Sequence, residues 1–358
     1  MKNKHNIRIV DIAQMAGVSA GTVDRVLHNR GRVSPEKKAR IESILKEIGY
    51  EPNIAARFLA SKRSYTFAVV IPSHSIGDYW ELVCNGIDKA VTELKTFNIH
   101  VDYFCFSQYN RESFIQIVHD LEQKEYDGIV VATLFGEHVV KLSKKLEEKG
   151  IPYIYIDSGI SEQKNMAYFG SDSFVSGTIA AKLMMQKIGK KSNIIIAHIK
   201  FKYKDISVQM KTREQGFLHY LNTNGFSGKI HQVEIDPDNS FKGLFQLQNI
   251  LESVKAPVGG IVLNSRIYEL VTLLKKLDQS LSSKMILVGH DAIERNIKAL
   301  KKGQIAFLLS QRPELQGYDA VKALGNYFLF KQTPPKNNHM PIDILIKENI
   351  DYYSNYKL

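Results

Sequence analysis

The chain has 358 residues, 44% of them hydrophobic and 24% charged, which is a globular composition long enough for two or three domains. The formal net charge is +11, and it is uneven: residues 1–64 carry 13 Lys or Arg against six Asp or Glu, whereas the rest carries 35 against 31. A basic head on a near-neutral body points to a polyanionic partner for the head, and the two cysteines, Cys84 and Cys105, lack the spacing of a disulfide framework or a zinc module.

No apolar stretch follows the charged N-terminus, so no secretory signal is expected. Runs such as Phe67–Ile71 and Ile129–Ala132 are far too short to span a membrane, and the expected location is the cytoplasm. No metal or cofactor signature is present.

In chain order, Ile9, Ile12, Ala13 and Ala16 fall at helical spacing, and Gly17-Val18-Ser19 ends that helix. Ser19 is a suitable N-cap for a second helix over Ala20–His28, with Val23, Val26 and Leu27 on one face. Ser34-Pro35-Glu36 starts a third helix, which turns Ile41, Ile44, Leu45 and Ile48 inward and stops at Gly49. Three short helices with a tight turn between the first two predict a helix-turn-helix over residues 1–50. Pro52 breaks the chain again, and a short Ala-rich helix capped by Asn53 is expected within a hinge, residues 51–64.

Over residues 65–358 short apolar runs alternate with amphipathic helical stretches. The predicted strands are Phe67–Ile71, His100–Phe106, Gly128–Thr133, Tyr153–Asp157, Asn193–His198, Lys229–Glu234, Gly260–Leu263, Met285–Gly289 and Ala306–Ser310, with one short strand in the Ile342–Ile346 tail. Such alternation implies parallel sheets with right-handed crossovers, here two doubly wound lobes facing a cleft. The expected fold class is thus a small all-α helix-turn-helix head on an α/β body.

The run Ile9-Val10-Asp11-Ile12-Ala13-Gln14-Met15-Ala16-Gly17-Val18-Ser19-Ala20-Gly21-Thr22-Val23-Asp24-Arg25-Val26-Leu27 resembles the signature of the lactose-repressor (LacI/GalR) family of transcription regulators. The hinge pattern Pro52-Asn53-x-x-Ala56-Arg57-x-Leu59 and the periplasmic-binding-protein-like body extend the resemblance over nearly the whole chain. It implies that the second helix reads DNA, with Ser19, Ala20, Gly21, Thr22, Arg25 and His28 at the interface. Arg25 can bond guanine bidentately, Ser19 and Thr22 can donate to phosphates, and Ala20 and Gly21 offer little beyond close approach. Asn53, Ala56, Arg57 and Leu59 are expected in the minor groove, Leu59 as an apolar wedge. Asp24 departs from the family's usual Ser, His28 replaces an Asn, and Phe58 has no assigned role.

For the body, the resemblance implies a sugar-like effector held by Ser73, Tyr79, Trp80, Arg213, Asn264, Asp291 and Gln311. Trp80 is the sole tryptophan and can stack on a sugar ring, and Arg213 can fork onto paired hydroxyls or a carboxylate. Asn264 and Asp291 each follow an apolar strand; Asp157 and Asp172 do too, but caps are common at such places. His74 and His290 are read as polar neighbours of the pocket. The leading expectation is a homodimeric repressor on a pseudo-palindromic operator in double-stranded DNA, relieved by the effector, with no membrane partner. An enzyme or a sugar-binding protein without a DNA role is the alternative. GxGxxG after the first strand, P-loop, HExxH and GxSxG motifs are all missing, which disfavours the enzyme.

Overall fold

A computed structural model describes residues 7–27, 31–50, 63–200 and 207–354. The chain forms two compact units, Met1–Ser61 and Lys62–Leu358.

In the first unit, α1 (Ile9–Ala16), α2 (Ala20–Leu27) and α3 (Pro35–Glu47) enclose a core of Ile12, Ala13, Ala16, Val23 and Ile41. Gly17 ends α1 in the left-handed region (φ 65°), where a side chain would be strained, and Val18 N–H closes the turn onto Ala13 O at 3.0 Å. Ser19 Oγ accepts from Thr22 N–H at 3.2 Å, which caps α2 as its sequence predicts. At α3 the predicted cap residue, Ser34, is in place but makes no side-chain cap bond, so Pro35 at the first helical position does more to start that helix. The expected hinge helix, with Asn53, Ala56, Arg57, Phe58 and Leu59, lies outside the described residues, as does His28.

The second unit holds two α/β lobes. In chain order, β1 (Tyr65–Pro72), α4 (Tyr79–Leu94), β2 (Ile99–Phe106), α5 (Arg111–Leu121), β3 (Gly128–Ala132), α6 (Gly136–Glu148), β4 (Tyr153–Ile156) and β5 (Ala167–Gly170) build lobe 1. Then α7 (Ser173–Ile188), β6 (Ile194–Ile199), α8 (Val208–Thr223), β7 (Ile230–Ile235), α9 (Phe241–Ser253), β8 (Val258–Ile261), α10 (Ile267–Leu274), α11 (Gln279–Ser282), β9 (Met285–His290), α12 (Glu294–Lys301) and β10 (Phe307–Ser310) build lobe 2. The chain returns to lobe 1 with α13 (Pro313–Phe330) and β11 (Asn337–His339), and ends in lobe 2 with β12 (Asp343–Leu345) and α14 (Ile350–Ser354).

The two sheets have matching orders, β11-β5-β4-β3-β1-β2 and β12-β10-β9-β8-β6-β7. All pairings are parallel except β12 with β10. Their central strands are apolar on both faces, as helix-covered parallel sheets require: Phe67 to Ile71 and Ile194 to Ile196 are fully buried. The nine strands predicted in the body and the tail strand all form. β5 and β11 are additions that the apolar pattern did not reveal.

Matching order makes β4 and β9 equivalents, so Asp157 and Asp291, which follow them, occupy equivalent places at the carboxyl ends of the two sheets. Ligands of open α/β sheets bind at such ends. Helices α7 and α8 cross closely because neither has a side chain at the contact. A Cβ on Gly177 would come within 1.9 Å of Arg213 O, and one on Gly216 within 2.0 Å of Phe174 O. That approach fixes where α8 carries Arg213.

Candidate ligand cleft and DNA-facing helix

The cleft between the lobes encloses about 840 Å³ of atom-free space, part of it open to solvent. Of the residues predicted to hold a ligand, Tyr79, Trp80, Asn264, Asp291 and Gln311 line it. Ser73 does not: it is exposed, and its backbone N–H is taken by Phe106 O at 2.7 Å. Arg213 lies behind the wall, 1% exposed.

The floor is a chain of buried hydrogen bonds from lobe to lobe. Tyr79 OH donates to Asp157 Oδ1 at 3.1 Å, and Gln209 Nε2, from α8, donates to the same oxygen at 2.7 Å. Gln209 Nε2 also lies 3.3 Å from Gln311 Oε1, which accepts from Ser171 Oγ at 3.0 Å. Gln311 Nε2 in turn donates to Asp291 Oδ1 at 3.1 Å. Both aspartates have left-handed backbones (φ 75° and 65°), a conformation that Asp tolerates better than most residues, and this turns their carboxylates into the cleft. Asn296, fully buried, donates to the carbonyls of Ser265, His290 and Asp291 and so ties the β8 and β9 exits together.

Burial dominates the electrostatics. Desolvation raises the Asp291 carboxyl to about 7, although Arg213 and the Gln311 hydrogen bond pull it down. Asp157 is raised for the same reason, against Arg213 and three side-chain donors. Burial, aided by Arg213, pushes His290 well below the usual imidazole range. Arg213 Nη1 donates to Leu263 O at 3.0 Å, and its Nε has no partner among the described residues. A buried guanidinium behind two buried carboxylates, with aromatic faces at Tyr79 and Trp80, suits a ligand that presents several hydroxyls. Carboxylates accept from hydroxyls, and rings cover the apolar face of a sugar.

Asp157, given less weight than Asn264 and Asp291 in the sequence, also lines the cleft, as do Gln209, Tyr109 and Arg266, which the sequence did not single out. Asp172 is the structural cap its alternative reading proposed, accepting from Val175 N–H at 2.9 Å. His74 and His290 do not line the cleft; His74 Nδ1 lies 3.8 Å from Cys84 Sγ.

In the head, Ser19, Gly21 and Arg25 are exposed at the start of α2 and along it, and Ala20 and Thr22 are half-buried. The Ser19 and Thr22 hydroxyls bond each other at 3.0 Å, which leaves one of the two protons for an outside acceptor. Arg25 runs back towards the following loop, since a Cβ on Gly31 would sit 3.7 Å from its Cδ. Among the described residues no helix is long and apolar enough to cross a membrane, and no cluster of three or more His, Cys, Asp or Glu could hold a metal ion.

Residues 8–53 match the family described as bacterial regulatory proteins of the LacI family, and residues 67–332 match the periplasmic binding protein domain. A crystal structure from Bacteroides fragilis, assigned as a LacI transcriptional regulator, is 33% identical, covers 81% of this chain and 100% of its own, and superposes with a TM-score of 0.73. The glucose-galactose binding protein GanP of Geobacillus stearothermophilus is 22% identical, covers 80% of this chain and 99% of its own, and shares the fold with a TM-score of 0.66. Catabolite control protein A of Priestia megaterium is 34% identical over 39% of this chain, and the regulator DegA of Bacillus subtilis 35% identical over 36%. The match spans only 41% and 37% of the length of those two curated relatives. Head and body together place this chain in the LacI family of bacterial regulatory proteins, with a periplasmic-binding-protein domain as its body.

Proposed function

We propose that the protein is a DNA-binding transcription regulator, a repressor whose DNA affinity is set by a sugar-like effector in the cleft. One observation carries the reading: a LacI-type helix-turn-helix and a cleft with hydroxyl-binding chemistry occupy a single chain. The α2 surface supports DNA docking through Arg25, Ser19 and Thr22, with Ala20 and Gly21 permitting close approach to base edges. His28, Asn53, Ala56, Arg57 and Leu59 complete the DNA set in this reading. In the cleft, Asp291, Asp157, Gln209, Gln311 and Asn264 bond the effector's polar edge, Trp80 and Tyr79 cover a ring face, and Arg213 balances the carboxylates from behind.

The reading includes a homodimer on a two-fold operator, because one head buries too little DNA to select a long site. It also places the protein in the cytoplasm, where its DNA target lies, and gives it no catalytic step. Selection of random duplexes by the purified full chain, followed by sequencing, tests it. A two-fold symmetric motif should be enriched, and its binding should fall steeply with salt. Failure to enrich any motif would overturn it.

A further inference from the structure

Apart from the floor, two half-buried side chains of the cleft lining meet from opposite lobes. Tyr109 of lobe 1 lies between β2 and α5, and Arg266 of lobe 2 lies between β8 and α10; both line the cavity. Arg266 Nη2 donates to the Tyr109 hydroxyl, and its guanidinium carbon sits 5.3 Å from the centre of the Tyr109 ring. Two interactions, one polar and one with the ring face, therefore join the same pair of side chains from lobe to lobe.

The Arg266 backbone is aimed from below. Its N–H donates to Asn264 Oδ1 at 3.0 Å, an Asx turn, and the buried Asn296 that holds Asp291 O also holds Ser265 O at 2.8 Å. Asn264 thus spends a carboxamide oxygen on the turn that carries Arg266. The floor contacts are buried, whereas Tyr109 and Arg266 are both only half-buried, as a contact that must open and reclose requires.

We propose that Arg266 and Tyr109 form a gate over the effector cleft, with Asn264 as the positioning residue, so that entry and release need this contact to break. The gate presupposes the effector cleft proposed above, but it is a property of the lobes themselves and is tested with no effector and no DNA. Trp80 is the sole tryptophan, is 5% exposed and lines the same cavity, so its fluorescence reports access to that cavity.

The experiment is acrylamide quenching of the full chain, with circular dichroism to confirm the fold of each variant. Arg266→Ala should raise the quenching constant by roughly twofold or more, as an opened population grows. Tyr109→Phe, which keeps the ring and loses the hydroxyl, should raise it less. The Arg266→Ala/Tyr109→Ala pair should raise it by less than Arg266→Ala and Tyr109→Ala do together, since the contact they share is lost only once. Asn264→Ala should behave as Arg266→Ala does, and Asn264→Asp, which retains the acceptor of the turn, should restore wild-type quenching. An unchanged constant in folded Arg266→Ala would overturn the gate. So would additive effects in the pair, or a wild-type constant close to that of free N-acetyltryptophanamide. Loss of DNA or sugar binding leaves this readout untouched, so the two proposals fail separately.

Discussion

Asp291 is fully buried, and burial lifts its carboxyl to about 7 from an ordinary 3.8. An acid whose folded value is raised binds its proton more tightly in the folded state. Stability therefore falls as pH rises through the window from about 4 to about 7; below it the penalty is absent, and above it the penalty is complete. The slope inside the window is about 1.4 kcal/mol per pH unit, so between pH 5 and pH 8 ionisation of Asp291 costs the second unit on the order of 2–3 kcal/mol. Asp291→Asn removes the titration but keeps an oxygen for the Gln311 amide to bond. Its stability relative to wild type should rise by that amount from pH 5 to pH 8. Urea unfolding followed through Trp80 fluorescence isolates the second unit, because the chain has no other tryptophan. A wild-type-to-variant difference that is the same at both pH values would refute the reasoning that desolvation outweighs Arg213 at this carboxyl.

Further predictions concern the head and the close helix crossing. Gly177→Ala would place a methyl 1.9 Å from Arg213 O and 2.8 Å from Phe217 N, so α7 and α8 must separate. It should lower the second unit's stability by about 1–3 kcal/mol or more, read from the shifted urea midpoint. Among the described residues a Gly21→Ala methyl meets only Ser19 Oγ, at 3.9 Å, in an exposed helical position, and it should stabilise the head by up to about 1 kcal/mol in thermal melts followed by circular dichroism. Arg25→Ala removes an exposed side chain, so the melt should stay unchanged while the affinity for the selected duplex drops by about 1–3 kcal/mol in fluorescence anisotropy.

Much of this architecture was legible in the residues because the physics behind it is local. Apolar runs bounded by turn residues gave the central strands, and Gly17 and Ser19 gave the break and cap of the helix-turn-helix. β5, Ala-Tyr-Phe-Gly, is four residues long, too short for periodicity to separate it from a buried loop. β11, Asn-Asn-His, is a polar edge strand whose partner chooses it, not its own side chains. In the cleft, residues that follow apolar strands were readable as ligand candidates. Gln209 was not: it sits in the first turn of α8 with no motif, and its reach to Asp157 and Gln311 depends on how the lobes close. Ser73 failed for the opposite reason, since position after β1 marked it but its backbone is bound to Phe106 and its side chain stays at the surface. Arg266 hides because an arginine before a helix reads as a solvated charge until Tyr109 is placed opposite it.

The central claim, that one chain couples a sugar-like effector to DNA, is tested most directly by titrating the selected two-fold duplex with the full chain at near-physiological salt, with and without the monosaccharide that most raises the melting temperature of the second unit. The account predicts tight, sequence-selective binding that this sugar weakens by five- to a hundredfold or so, the usual range of an allosteric coupling. A duplex affinity that stays the same while the sugar demonstrably stabilises the protein would contradict it.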